Sequence, residues 1–428
     1  MAAGPESMRG QGRLNYGWII VGVSFVNLSL TSAIWYSFSV FFVAFLREFG
    51  WSRSVCAGAF STFVILHSFV GPFIGGMVDR FGPRRVIALG SLALGAGLFL
   101  CSLTQAWWQL YIFFGVITGI GAGSAGWVTH TTLIQNWFTE RRGLATGITG
   151  AGLGIGILIY TPLVQYSIDV VGWRMTYRVM AVLIPLIMLS MTLLFLGKSP
   201  PPSLSRSVEK VFAHVTHKDP SVANDVSCLH SWTVRQVMTT QPFWLLCLCF
   251  MLGTFSTQSV LTHQVVFFVD KGLEALFASY IVGMVGLVSM GGKILWGTLS
   301  DRIGREWTYT LGSISAISGV ISLIVFHFLP SGTIPYLYAF FIGLGYAATA
   351  ALPAIITADF FGGRTYGRIF GTTMVFIGLG AACGAWFAGV MYDHLRSYLV
   401  VFVILILCYL AACYILWMVA PRKIQRVS

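Results

Sequence analysis

The chain has 428 residues, 56% of them hydrophobic and 9% charged, with a formal net charge of +12. Soluble domains carry roughly 25% charged residues, so these numbers exclude a soluble globular protein and imply a polytopic membrane protein. The positive charge is scattered in short loops between apolar runs and forms no basic helix, which argues against nucleic acid as a partner. The lipid bilayer is the expected partner. Eight cysteines give no disulfide framework. All but Cys228 lie in or beside apolar runs and read as small packing residues. The N-terminal stretch lacks a short apolar core ending in a small-residue cleavage site, so the first run reads as an uncleaved span.

Twelve spans are expected, over residues 17–45, 54–78, 86–104, 108–134, 143–166 and 175–197, then 243–268, 275–298, 307–329, 333–357, 367–391 and 397–420. Each holds the roughly 20 apolar residues needed to cross a bilayer, and only helices satisfy their backbone there. Of the 26 Lys and Arg residues, 19 fall on the side of the N-terminus, six on the other, and one, Lys293, within a span. That bias places both termini in the cytosol, in a cell (inner) membrane. Residues 198–240 break the apolar pattern with Pro200–Pro202, several serines and mixed charges. They read as a cytosolic linker between an N-terminal bundle (1–197) and a C-terminal bundle (241–428). Ser231–Thr240 is expected to form a short helix along the membrane surface.

The two halves repeat each other. Gly297, Asp301, Arg302, Gly304 and Arg305 close the eighth span; Gly75, Asp79, Arg80 and Gly82, followed by Arg84–Arg85, close the second, 222 residues earlier. Gly143 and Gly147 recur as Gly367 and Gly371. The fold class is therefore an all-α membrane protein of twelve helices in two pseudo-symmetric six-helix bundles, which is a transporter plan.

Twelve spans, a central inner loop and the paired G-x-x-x-D-R-x-G motifs resemble the major facilitator superfamily over nearly the whole chain. Three stretches are similar to its monocarboxylate transporter and oxalate–formate antiporter group: Tyr16-Gly17-Trp18, Asn136–Gly147, and a cation eight residues before Asp301. The resemblance implies secondary transport of a small organic anion by alternating access, coupled to a proton. It also implies that the eighth-span cation, usually Arg in the family, contacts the substrate carboxylate, and that a tenth-span Tyr lines the cavity.

Lys293 carries the chemistry. An ionisable residue in a span marks a functional site by default; the alternative is a side chain that snorkels to the near interface. The eighth span runs outside to inside, and side chains lean toward a helix N-terminus. That tilts Lys293 toward the membrane centre and favours a substrate or coupling role. All 14 acids fall in loops or at span ends, so none is placed to neutralise it. A buried unpaired ammonium is costly and tends to lose its proton. Either water fills the empty site or a bound anion supplies the countercharge.

Ser289 lies one turn before Lys293 and can donate to a carboxylate or bond back to its own helix. In animal members of the resembled family an acid holds that place, so carboxylate-based proton coupling is unsupported here. His67, the counterpart of Ser289, and His263 can bind substrate, carry a proton, or pack as hydrogen-bonded histidines. Tyr346 is open to substrate contact or an interhelical bond. Trp127 and His130 are weaker candidates. Asp79 with Arg80, Arg141 and Arg142, and Asp301 with Arg302, read as charged gates at helix C-termini, where a carboxylate needs a cation. The alternative is a solvated loop.

No metal-ligand cluster, cofactor motif or nucleophile constellation is present in the sequence, so no cofactor and no enzymatic activity is expected. A retinal-binding photoreceptor is disfavoured by twelve duplicated spans. The expected function is transport of small monocarboxylates by a functional monomer. The alternative is antiport or export of another organic anion or a neutral solute. Oxalate-type relatives carry a second cation in the eleventh span, and residues 367–391 have none beyond Arg368 at the inner edge.

Overall fold

The structure is a computed structural model that describes residues 5–138, 142–196, 232–361 and 366–419; the side chains of 5–15, 72, 79, 135, 136, 142 and 143 fall outside the description. Among the described residues all regular structure is helical, and twelve helices are long and apolar enough to cross a membrane. The first half contains α1 (Pro5–Phe49), α2 (Arg53–Phe81), α3 (Pro83–Cys101), a composite α4, α5 (Arg142–Val171) and α6 (Trp173–Phe195). The second contains α7 (Gln241–Asp270), α8 (Ala275–Ile303), α9 (Arg305–Phe328), α10 (Ile334–Phe361), α11 (Tyr366–Leu395) and α12 (Leu399–Val419). The expected linker lies outside the described residues up to 231. Beyond it, Thr233 and Gln236 cap a short helix, Val234–Met238, reciprocally: Thr233 N–H donates to Gln236 Oε1 and Gln236 N–H to Thr233 Oγ1.

Several helices run past the limits that hydropathy suggests. The repeated D-R pairs belong to the last turns of α2 and α8, and both helices stop at a glycine in the left-handed region, Gly82 (φ 80°) and Gly304 (φ 95°). Such a φ suits glycine and ends a helix by turning the chain. Pro83 then restarts α3 at its first position, where a missing N–H is tolerated. The fourth span is assembled from Trp107–Leu110, a π-helical stretch Tyr111–Thr118, Gly119–Ser124 and, after a break at Ala125–Gly126, Trp127–Trp137. A freed carbonyl at the break is met by a side chain: Thr129 donates to Ser124 O at 2.8 Å. Irregular backbone at membrane depth needs such partners.

Each half repeats one packing scheme. α1 packs on α5 as α7 does on α11, α2 on α4 as α8 does on α10, and α3 on α6 as α9 does on α12. The halves meet along two symmetry-related seams, α2 with α11 and α5 with α8. Both seams are tight toward the face where α2 and α8 begin. Along α2, Ser61 donates to Ala382 O at 2.6 Å, and a Cβ at Gly389 would lie 2.8 Å from Arg53 O. Along α8, a Cβ at Gly286 would sit 2.6 Å from Ile157 Cβ, and Gly154 abuts Met290. Toward the opposite face, where the linker attaches, Gly71, Gly75, Gly147, Gly291, Gly297, Gly367 and Gly371 have, among the described residues, no neighbour within 4 Å of a would-be Cβ. Among the described residues the halves thus form a wedge, packed together at one face and parted toward the linker face.

Without a hydrophobic drive between helices in lipid, such seams depend on small residues. Gly286→Val should overpack the α5–α8 seam and cost about 1–3 kcal/mol, seen as a clear fall in the unfolding temperature of the purified protein. An unchanged melting curve would contradict the close approach.

Candidate functional site

Partway along the spans the two halves touch through hydroxyl groups. Tyr36 of α1 and Tyr346 of α10 share a short hydrogen bond, with ring centroids 6.2 Å apart at 67°. Lys293 extends over the same Tyr346 ring, its Nζ 5.4 Å from the centroid. A cation over an aromatic face gains about 0.5–2 kcal/mol, depending on desolvation. α8 can bring Lys293 this close because its neighbour Gly292 is pressed on α10, where a Cβ would meet Ala347 Cβ at 2.8 Å. Lys293 is half-buried and stands three residues past Met290, the last α8 residue packed on Gly154 of α5. It therefore lies on the linker side of that contact. Among the described residues it has no ion pair and no hydrogen bond, and the Tyr346 ring is the partner its charge meets there.

Other residues expected at the site are placed differently. Ser289 is fully buried and donates to Gly286 O of its own helix at 2.8 Å. His67 is half-buried in α2, edge-on to Trp35 with centroids 5.1 Å apart and stacked on Phe63. It joins the Lys293 group only through α1, where Trp35 precedes Tyr36. His263 lies toward the closed face, 3% exposed, with both ring nitrogens engaged: Nδ1 with the Tyr398 hydroxyl and Nε2 with Ala385 O, each at 2.9 Å. Its ring packs edge-on to Phe42. Trp127 covers Gly150 of α5, and His130 is buried with Nδ1 3.1 Å from Ser24 Oγ. The structure thus brings Lys293 and Tyr346 together and adds Tyr36, a polar hydroxyl inside an apolar span that sequence reasoning passed over.

The charged residues expected to gate the linker face do not bridge the halves among the described residues. Arg305 binds Asp301 at 2.6 Å and Asp359 at 2.7 Å, tying α8, α9 and α10 within the second half. Arg302 is exposed, and Arg80 lies over the ring of its neighbour Phe81. Arg141 and the side chains of Asp79 and Arg142 lie outside the described residues. At the closed face, by contrast, Arg53 of α2 reaches Asp270 of α7 at 2.6 Å.

Two six-helix halves parted at one face around a central polar group match what comparison with known proteins gives. The sequence model of the Major Facilitator Superfamily matches residues 24–357. The chain belongs to that superfamily. Among curated relatives of this major facilitator protein, the oxalate:formate antiporter of Oxalobacter formigenes is 25% identical over 88% of this chain and 87% of its own. Monocarboxylate transporter 4 of Gallus gallus is 25% identical over 91% of this chain and 79% of its own. Among solved structures, the E. coli xylose transporter in a partially occluded inward open conformation superposes with a TM-score of 0.70 at 14% identity, covering 95% of this chain and 98% of that one. At that identity the likeness establishes the fold. The protein is a membrane transporter and not an enzyme.

If Lys293 faces the wedge, Lys293→Cys should react with a membrane-impermeant thiol reagent supplied at the linker face, against a low background from the parent protein. No reaction above that background would place the side chain in lipid or in packed protein.

Proposed function

We propose that this major facilitator protein is a proton-coupled carrier of small monocarboxylates of the lactate and pyruvate kind, working by alternating access between its halves. The observation that carries this reading is the half-buried Lys293 ammonium at the apex of the wedge, with an aromatic hydroxyl pair beside it and no acid paired with it among the described residues. A small carboxylate supplies the missing charge, and the Tyr36 and Tyr346 hydroxyls donate to its oxygens once their mutual bond opens. A lysine is a point charge rather than a bidentate fork, which suits a single carboxylate of varied substituent. Relatives named for monocarboxylates and for oxalate and formate are consistent with an anionic cargo. Exchange of a dicarboxylate is less favoured, because residues 367–391 have no Lys or Arg beyond Arg368 at the inner edge. With the linker face in the cytosol, the wedge opens inward. The coupling proton is assigned to Lys293 or His67, since His263 has both nitrogens occupied.

The test is uptake of labelled lactate into proteoliposomes. Wild type should accumulate lactate under an inward proton gradient, and Lys293→Ala should fall to the level of empty vesicles. Full activity in that variant rules the reading out. Lactate should also raise the unfolding temperature of the wild type while its amide does not; equal shifts would favour a neutral cargo.

A further inference from the structure

The closed face carries a cluster that the transport site does not use. The guanidinium of Arg53, its side chain 10% exposed, binds Asp270 of α7 at 2.6 Å and donates to the Tyr398 hydroxyl at 2.7 Å. It also lies flat on the Tyr392 ring, 3.5 Å from the centroid. Behind it, the backbone N–H groups of Arg53 and Ser54 both donate to the Asp393 carboxylate, at 2.9 and 2.8 Å. The free N–H groups and positive dipole end at the start of α2 are thus capped from the other half of the molecule. His263 holds the Tyr398 hydroxyl from below. Every partner of Arg53 in this cluster belongs to the second half, so all of these bonds break together when the halves part.

The duplication shows what has changed here. In the first half, Glu48 at the end of α1 binds Arg174 and the Trp173 indole, both at the start of α6. This clasp stays within one half. Its counterpart acid is Asp270, 222 residues on, at the end of α7. Arg174 stands two residues after the left-handed Gly172, and Tyr398 stands two residues after the left-handed Arg396. The second half therefore has a neutral hydroxyl where the first has its cation. Arg53 fills that charge deficit from across the seam. The counterpart of Arg53 itself is Ala275, so no reciprocal arm exists.

We propose that Arg53 is the key of a one-sided latch, with Asp270, Tyr392, Asp393 and Tyr398 as its socket, and that this latch sets how readily the face opposite the linker opens. The proposal rests on the alternating-access part of the functional reading but not on any substrate. It is tested with a reporter two turns below the latch, Ser61→Cys, which is 7% exposed at the α2–α11 seam. A membrane-impermeant thiol reagent is applied at the Arg53 face, with the protein lacking the reporter as background. Arg53→Gln and Asp393→Asn should each raise the labelling rate at position 61 by about tenfold or more, since removing one member of a desolvated charge pair acts mainly on opening. Arg53→Lys should fall between, keeping charge but losing the fork. A second reporter, Ser91→Cys, buried inside the first half, should stay unlabelled in all variants. Labelling at 61 that stays at the parental rate in folded, monodisperse Arg53→Gln and Asp393→Asn overturns the latch. Labelling that rises equally at 61 and 91 also overturns it, because that is general loosening. Should Arg53→Gln fail to fold, Tyr398→Phe, which removes one socket bond, is read in its place. No outcome bears on cargo, so failure here leaves the Lys293 reading standing.

Discussion

One ammonium inside a membrane span constrains everything else in this protein. Its charge has to be hydrated, paired or given up. The Tyr346 ring offers part of the compensation, and Lys293 sits past Met290, the last α8 residue packed on Gly154 of α5. That placement needs three helices to approach closely, and Gly154, Gly286 and Gly292 allow it. The glycine seams and the lone cation are thus parts of one arrangement: the first brings the helices together, and the second puts a charge beside the place where the halves meet.

The two ends of the wedge are built on different physics. At the linker face the ion pairs among the described residues run within one half, and the exposed Asp301–Arg305 pair is of the kind worth about 0–1 kcal/mol. At the closed face the Arg53–Asp270 pair is more buried, runs between the halves and sits beside a helix cap borrowed across the seam, whereas the Glu48–Arg174 clasp stays within the first half. A duplicated fold would give matching clasps in both halves. The loss of a cation at the Tyr398 position breaks that symmetry and makes Asp270 available to Arg53.

Much of the architecture was legible in the sequence. Long apolar runs, the positional bias of Lys and Arg, and the 222-residue repeat give twelve helices in two halves, because lipid leaves few other solutions. Helix ends were less legible. Hydropathy ends the second and eighth spans at 78 and 298, whereas the backbone stays helical until Gly82 and Gly304 force a positive φ. The break in α4 gave no proline to mark it; only Gly126 hinted at it. At the site, Lys293 stood out because it is charged, and Tyr346 because of its place in α10. Tyr36 did not, since a single tyrosine in a span rich in aromatics carries no periodic signal. Ser289 and His263 show the converse: polarity at membrane depth is often satisfied locally, by a carbonyl one turn back or by a neighbouring hydroxyl. The Arg53 cluster was hidden because its members are scattered over α2, α7, α11 and the start of α12, and each alone is an ordinary charge or hydroxyl at a span end.

The most direct measurement is a structure of the protein purified and imaged with a saturating small monocarboxylate such as lactate. The account predicts a carboxylate oxygen about 2.7–3.2 Å from Lys293 Nζ, with the Tyr36–Tyr346 bond opened toward it. Ligand density away from Lys293, or an amine turned outward to the headgroups while cargo is bound, would contradict it.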